Sequence, residues 1–459
     1  MEQAELVVRG RIHGAHHRGG RPLRSGPLVA TIALLAACSG TAASSGSASL
    51  VPPAQAIAPP ATDAGSTTSG AVAGAPSSSS PTTAAGPPAT APPLADYTGD
   101  PFFDPGDTPA GAPGEIIRSR PVAIDVDGAE AWQILHWSRT AEDQPVAVSA
   151  TVVAPTAVTS SPRAVLAWAH GTTGMGDQCS ISARVADGSA PDLTIVKGAV
   201  DQGFAVVLPD YQGLGTPGDH AYLVGQAEGR NVLDGIRAAT RFDGSGATAD
   251  SKAVVWGHSQ GGQAAAFTAE LQPTYAPDLH LVGAVAGAPA SDFTGASPQA
   301  AANPAYRGFF PMLVVGFRAG YPELAADDQL LTDAGREALA RVDDQCLDET
   351  LTTFRDEDPA PLLAGLPIDQ PRWQLALAAN RAGDRPTSVP IFLYHGGADD
   401  LVPPQLSAEL LARYCELGVT ASRTVYPDTD HVSVIAAAYT DIGAYLQDRL
   451  AGERAPSSC

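Results

Sequence analysis

The chain has 459 residues, 44% of them apolar and 17% charged, enough to bury a large core in one or two domains. Its 49 acidic residues against 27 basic ones give a net charge of −22, so a nucleic-acid role has no electrostatic support and the acidity reads as solubility. Five cysteines occur with no CxxC or Cys/His metal spacing, which argues against zinc or another bound metal.

Near the start, Arg9, Arg11, Arg18, Arg21 and Arg24 precede the apolar run Leu28–Leu35, and Ala36-Ala37-Cys38 follow. These are the charged, apolar and small-residue regions of an export signal, and the run is too short to span a bilayer. Leu35-Ala36-Ala37-Cys38 also resembles a bacterial lipoprotein box. That resemblance implies a signal peptide over 1–37 and lipid on Cys38, with an ordinary secretory signal as the alternative. Residues 38–95 are mostly Ala, Ser, Thr, Pro and Gly and cannot bury enough surface to offset ordering entropy, so they are expected to be a disordered tether. Cys179, Cys346, Cys415 and Cys459 then remain, an even number suited to an oxidising compartment.

Folded sequence is expected over 96–459. Trp132–Trp137 and Val146–Val153 alternate like half-buried antiparallel strands. Ala164–Ala169 is continuously apolar, as in a strand buried on both faces, and ends in His170-Gly171-Thr172-Thr173-Gly174. A helix at Leu193–Val200, a strand at Ala205–Leu208 running into Asp210-Tyr211, and a helix at Asn231–Arg241 follow. Val254-Val255-Trp256 then leads through Gly257-His258-Ser259-Gln260-Gly261 into the helical Ala264–Glu270. Strand, sharp turn and helix are the setting in which a serine is held exposed at the top of an α/β sheet. Leu281–Ala286 is another buried strand, after which the sheet pattern stops. Helix-like, acid-rich segments such as Glu323–Val342 fill about 289–387, too long for a connection, and predict a helical cap inserted over the active face. The strand Pro390–Tyr394, the helix Ala408–Cys415, the strand Arg423–Tyr426 and the helix Val434–Leu450 close the chain. Strands alternating with helices predict an α/β fold with a mostly parallel sheet flanked by helices.

Three candidates each follow a predicted strand: Ser259, then Asp399 in His395-Gly396-Gly397-Ala398-Asp399-Asp400, then His431. Nucleophile, acid, base is the chain order of α/β-hydrolases, and parallel strands bring their C-terminal ends to one edge. A serine hydroxyl needs a base to take its proton, and imidazole titrates near neutrality. Asp399 would hold the other ring nitrogen and stabilise the imidazolium, with Asp400 as the alternative acid. Backbone N–H groups of Gln260 and of the His170–Thr173 loop, at Thr172, are the candidate oxyanion donors. His170, His258 and His395 read as scaffolding of their motifs, and Asp210 and Tyr211 as loop structure.

The segments Ala167–Gly174 with Cys179, Asp210–Gly215, Gly257–Gly262 and His395–Asp399 resemble the secretory lipases of the Candida lipase A type and their actinobacterial relatives. Asp100–Phe103 and Pro113–Arg118 are similar to that family too, so the resemblance spans about 96–459. It implies an α/β-hydrolase with a cap over Ser259, ester hydrolysis, no cofactor, and the disulfides Cys179–Cys346 and Cys415–Cys459.

The expected protein is an extracytoplasmic serine esterase or lipase, held at the cell envelope by lipid on Cys38 or else secreted. It would act on small acyl esters through an acyl-enzyme. Short to medium acyl chains are expected because Phe309–Phe317 reads as an acyl-binding wall, whereas the carboxylates from Glu323 to Asp358 would not enter lipid. A serine peptidase of the same fold is the alternative, and a non-catalytic surface lipoprotein a more distant one.

Overall fold

The computed structural model describes residues 99–190, 192–294, 303–357 and 367–459. The signal segment, Cys38 and the tether lie outside them.

Nine strands form one sheet among the described residues, in the order β1-β2-β3-β5-β4-β6-β7-β8-β9. β1 (Ile116–Val122), β2 (Ala129–Arg139) and β3 (Pro145–Pro155) are antiparallel, and β3 meets β5 (Ala205–Pro209) antiparallel as well. From β5 onward every pair is parallel, through β4 (Val165–Ala169), β6 (Lys252–His258), β7 (His280–Gly287), β8 (Ile391–Gly396) and β9 (Ala421–Tyr426).

The period-2 alternation of each strand divides the core. Val165, Ala167, Val207, Val255, Ala284 and Leu393 point to one face. There they meet α3 (Gly225–Arg241), α4 (Gln260–Tyr275) and α9 (Pro404–Glu416). Leu166, Trp168, Val206, Trp256, Val285 and Phe392 point to the other. That face packs on α1 (Ile181–Ala186), α2 (Leu193–Asp201) and α10 (Ser433–Ala451). A sheet covered on both faces needs such continuous apolar strands.

Two boundaries differ from the sequence reading. The helix expected from Asn231 begins at Gly225, because Gly225 and Gly229 lie against Phe267 of α4 and leave no room for a Cβ. Glycines that discourage helix in isolation are here the condition for close helix packing. β1 was not expected as a strand; its Arg118, Arg120 and Pro121 suit an edge, which has a partner on one side only.

Between β7 and β8 lie α5 (Phe309–Gly320), a 3-10 run Pro322–Leu330, α6 (Asp333–Val342), α7 (Leu347–Arg355) and α8 (Pro371–Ala379). The helical stretch expected over Glu323–Val342 is thus two pieces. Thr332 separates them, capping α6 by accepting from Gly335 N at 3.0 Å. This insert has its own core, with Met312, Val314, Phe317, Leu339, Phe354 and Trp373 buried together.

Both disulfides implied by the resemblance are present. Cys415–Cys459 ties the chain end to α9, and Ser458 N donates to Ala421 O of β9 at 2.8 Å. Cys179–Cys346 joins the loop after β4 to the start of α7. Backbone bonds reinforce that junction, from Met175 N to Gln345 O and from Leu347 N to Thr173 O, each 2.9 Å.

Candidate active site

Ser259 sits between β6 and α4 at φ 62° and ψ −120°, a conformation an L-residue adopts only when its surroundings force it. Those surroundings are backbone. A Cβ at Gly257 would overlap Gly261 O, one at Gly261 would overlap Ala169 O, and one at Gly262 would overlap Gly287 O. Two of these glycines were legible from the motif; Gly262, wedged against the end of β7, was not. Ser259 N donates to Gly287 O at 2.9 Å and fixes the turn to that strand.

Asp399 follows β8 and is buried. Its Oδ1 accepts from Leu401 N at 3.0 Å and Val402 N at 2.9 Å, and its Oδ2 from His431 Nδ1 at 2.7 Å. Burial disfavours the charged carboxylate, but the donors from His395, His431 and Val402 outweigh it and hold its pKa well below the usual range. Asp400 is exposed and takes the Tyr306 hydroxyl at 2.8 Å instead. The structure therefore pairs Asp399, not Asp400, with His431. The His431 ring lies 4.7 Å from that of His258, the residue before Ser259.

The His170–Thr173 loop lies against the serine, since a side chain at Gly171 would meet His258 O at 3.4 Å and Ser259 Cβ at 4.0 Å. Thr172 Oγ1 is hydrogen-bonded to Tyr222 OH at 2.9 Å. Gln260 opens α4, so its N–H has no intrahelical acceptor and is free to meet negative charge. Its side chain donates to Glu228 Oε1 at 2.7 Å, a buried carboxyl whose pKa burial raises to about 8. No motif marks Glu228, and it lies before the start of the helix expected from the sequence.

His258 and His170 are neutral imidazoles at neutral pH, because burial pushes the pKa of each down to about 3. Asp210 is equally structural: buried, it accepts from Ser149 Oγ at 2.8 Å and from Ser182 N at 2.9 Å, and burial raises it to about 7. Among the described residues no cluster of His, Cys, Asp and Glu is arranged to hold a metal.

A cavity of about 510 Å³ opens onto Ser259 and Gln260. Phe309, Phe310 and Leu313 of α5 line one side with Leu223 and Phe293, and Asp292, Asp400 and Glu409 lie at its polar side. The insert and the sheet edge therefore share one space. The arrangement can bring an apolar group to a serine beside an imidazole–carboxylate pair.

A mostly parallel sheet with a serine on a forced strand–helix turn defines the α/β-hydrolase fold. Solved structures share it. Candida antarctica lipase A in its closed state superposes with a TM-score of 0.69 at 22% identity, over 78% of this chain and 87% of that one. The rice cell wall degrading esterase LipA from Xanthomonas oryzae gives 0.60 at 18% identity, over 75% of this chain and all of that one. The profile of the secretory lipase family matches residues 188–458, and the chain belongs to that family, as a carboxylic ester hydrolase. Among its relatives, Lipase 6 of Candida albicans is 28% identical over 80% of this chain and 84% of its own. A secreted triacylglycerol lipase of Malassezia globosa is 27% identical over 78% and 82%.

Proposed function

We propose that the protein hydrolyses carboxylic esters through an acyl-enzyme on Ser259. His431 takes the serine proton as the hydroxyl attacks the ester carbonyl, and returns it to the leaving alcohol. Asp399 holds His431 Nδ1–H and stabilises the imidazolium. The N–H groups of Gln260 and Thr172 receive the negative charge that develops on the carbonyl oxygen. Water, activated by His431, then releases the acid. The observation that best supports this reading is the 2.7 Å Asp399–His431 bond beside a cavity opening on Ser259.

The test pairs labelling with substrate class. A fluorophosphonate should label wild type and not Ser259→Ala, and p-nitrophenyl butyrate should turn over where aminoacyl anilides do not. Anilide cleavage at a comparable rate would instead favour a peptidase.

Substrates are short to medium acyl esters in solution. The aromatic helix α5 faces the cavity, and its Phe310, Met312, Val314 and Phe317 are buried, so its apolar surface is turned inward to an acyl group rather than outward to lipid. No rate jump is expected as substrate passes its solubility limit. Triolein hydrolysed as fast as tributyrin would contradict this.

The protein works outside the cytoplasm, joined to the envelope by lipid on Cys38 and a tether over 38–95. This part rests on the sequence of those segments, and no helix among the described residues is long and apolar enough to cross a membrane. Labelled palmitate should enter wild type and be absent from Cys38→Ser.

A further inference from the structure

The Asp399 carboxylate carries a second imidazole. His395, in β8, is fully buried, and its Nε2 lies 2.8 Å from Val402 O and 3.2 Å from Asp399 Oδ2. Both neighbours accept, so the proton of a neutral ring belongs on Nε2 and Nδ1 must accept. The group facing Nδ1 is Ser407 Oγ of α9, at 2.8 Å. Its one proton has two possible destinations, His395 Nδ1 and Pro404 O, the latter at 3.0 Å.

Arg423 of β9 decides between them. Its Nη2 supplies Pro404 O at 2.8 Å, and its Nε donates to Ser407 Oγ at 2.8 Å. With Pro404 O already served, the Ser407 hydroxyl can donate to His395. An unbroken line of donors then runs from an arginine cation to the carboxylate on which His431 depends.

We propose that Arg423, Ser407 and His395 are positioning residues that fix the Asp399 carboxylate and reserve its charge for His431. The inference rests on the reading of Asp399 as the acid of the triad. A second proton on His395 would make an ion pair with Asp399 and withdraw the charge that stabilises the imidazolium on His431. A hydroxyl donating to Nδ1, with a guanidinium behind it, keeps Nε2–H turned to Val402 O and Asp399 Oδ2. The other ionisable groups facing this cluster are His258 of β6, Tyr306 of the insert, and Asp400 and Asp430 of the two loops. None of these is hydrogen-bonded to His395.

The test is the pH profile of kcat/KM on a soluble p-nitrophenyl ester, with active sites counted by fluorophosphonate, for Ser407→Ala, Arg423→Gln and Arg423→Lys. Ser407→Ala and Arg423→Gln should each lose about 10-fold, with the acid limb moved to lower pH by about half a unit because less of the Asp399 charge is left to hold the His431 imidazolium. Arg423→Lys, which keeps the cation and loses the fork, should fall between them and wild type. An acid limb that stays in place while only the melting temperature drops would reduce the chain to scaffolding and overturn the proposal. Should Ser407→Ala not fold, Arg423→Gln decides, because Arg423 is only partly buried. Asp399→Asn is measured alongside. If it is mild, the acid assignment falls and this inference with it; if it is crippling while the limb stays, only the inference falls.

Discussion

The sheet edge and the inserted helices meet at one cavity but are held in place by different means. Around Ser259 the constraint is backbone against backbone: three glycines abut carbonyl oxygens of β4, α4 and β7. The insert instead packs side chain on side chain, with Phe317, Phe354 and Trp373 at its centre and, Asp327 excepted, its described carboxylates toward the outside. A turn made of main chain tolerates almost no substitution, whereas a side-chain core can be repacked. Chemistry placed on the first and selectivity on the second lets substrate range change without moving the proposed nucleophile.

That contrast can be broken most sharply at the sheet edge. Ser259→Ala and His431→Ala should each cost on the order of 10⁶ in turnover, and the double variant no more, because the residues act as a unit. Additive losses in the double variant would mean that they do not. Asp399→Asn should cost about 10⁴ through the wrong histidine tautomer. Asp400→Asn, which loses only the contact with Tyr306, should be mild. A crippled Asp400→Asn enzyme would reverse the two roles.

Opening the Cys415–Cys459 bond tests the same region from a distance. It closes a loop of 44 residues that contains His431, and its loss should cost roughly 4 kcal/mol of stability by loop-closure entropy. Under mild reductant, activity should fall before the melting signal does. Simultaneous loss of both would show that the base is not held by this bond.

The smallest effect belongs to the insert. Leu313→Trp shortens the apolar side of the cavity, so the preferred acyl chain should become shorter, with longer esters losing about 10-fold. An unchanged chain-length profile would place acyl binding elsewhere.

The strands before Ser259 and Asp399 were legible because burial on both faces leaves continuous apolar runs, whereas β9, before His431, is a half-buried edge strand carrying Arg423 and Thr424. The sequence favoured Asp399 with its neighbour Asp400 as the alternative; in the fold it is Asp399 that receives the Leu401 and Val402 N–H groups and meets His431. The early start of α3 escaped because Gly225 and Gly229 answer to Phe267, some 40 residues later. Arg423 and Ser407 carry no motif, and the motif around His395 says nothing of its partners. The three come from β9, α9 and β8, and only tertiary packing assembles them.

The junction at Cys179–Cys346 limits how the insert can move. The loop after β4 and the start of α7 are one covalent ring there, doubled by backbone bonds on either side. The insert is therefore not a lid that lifts free; it is a door whose jamb is the loop bearing Thr172. Swinging it wide would drag that loop from Ser259, and with it the Thr172 N–H proposed here as an oxyanion donor.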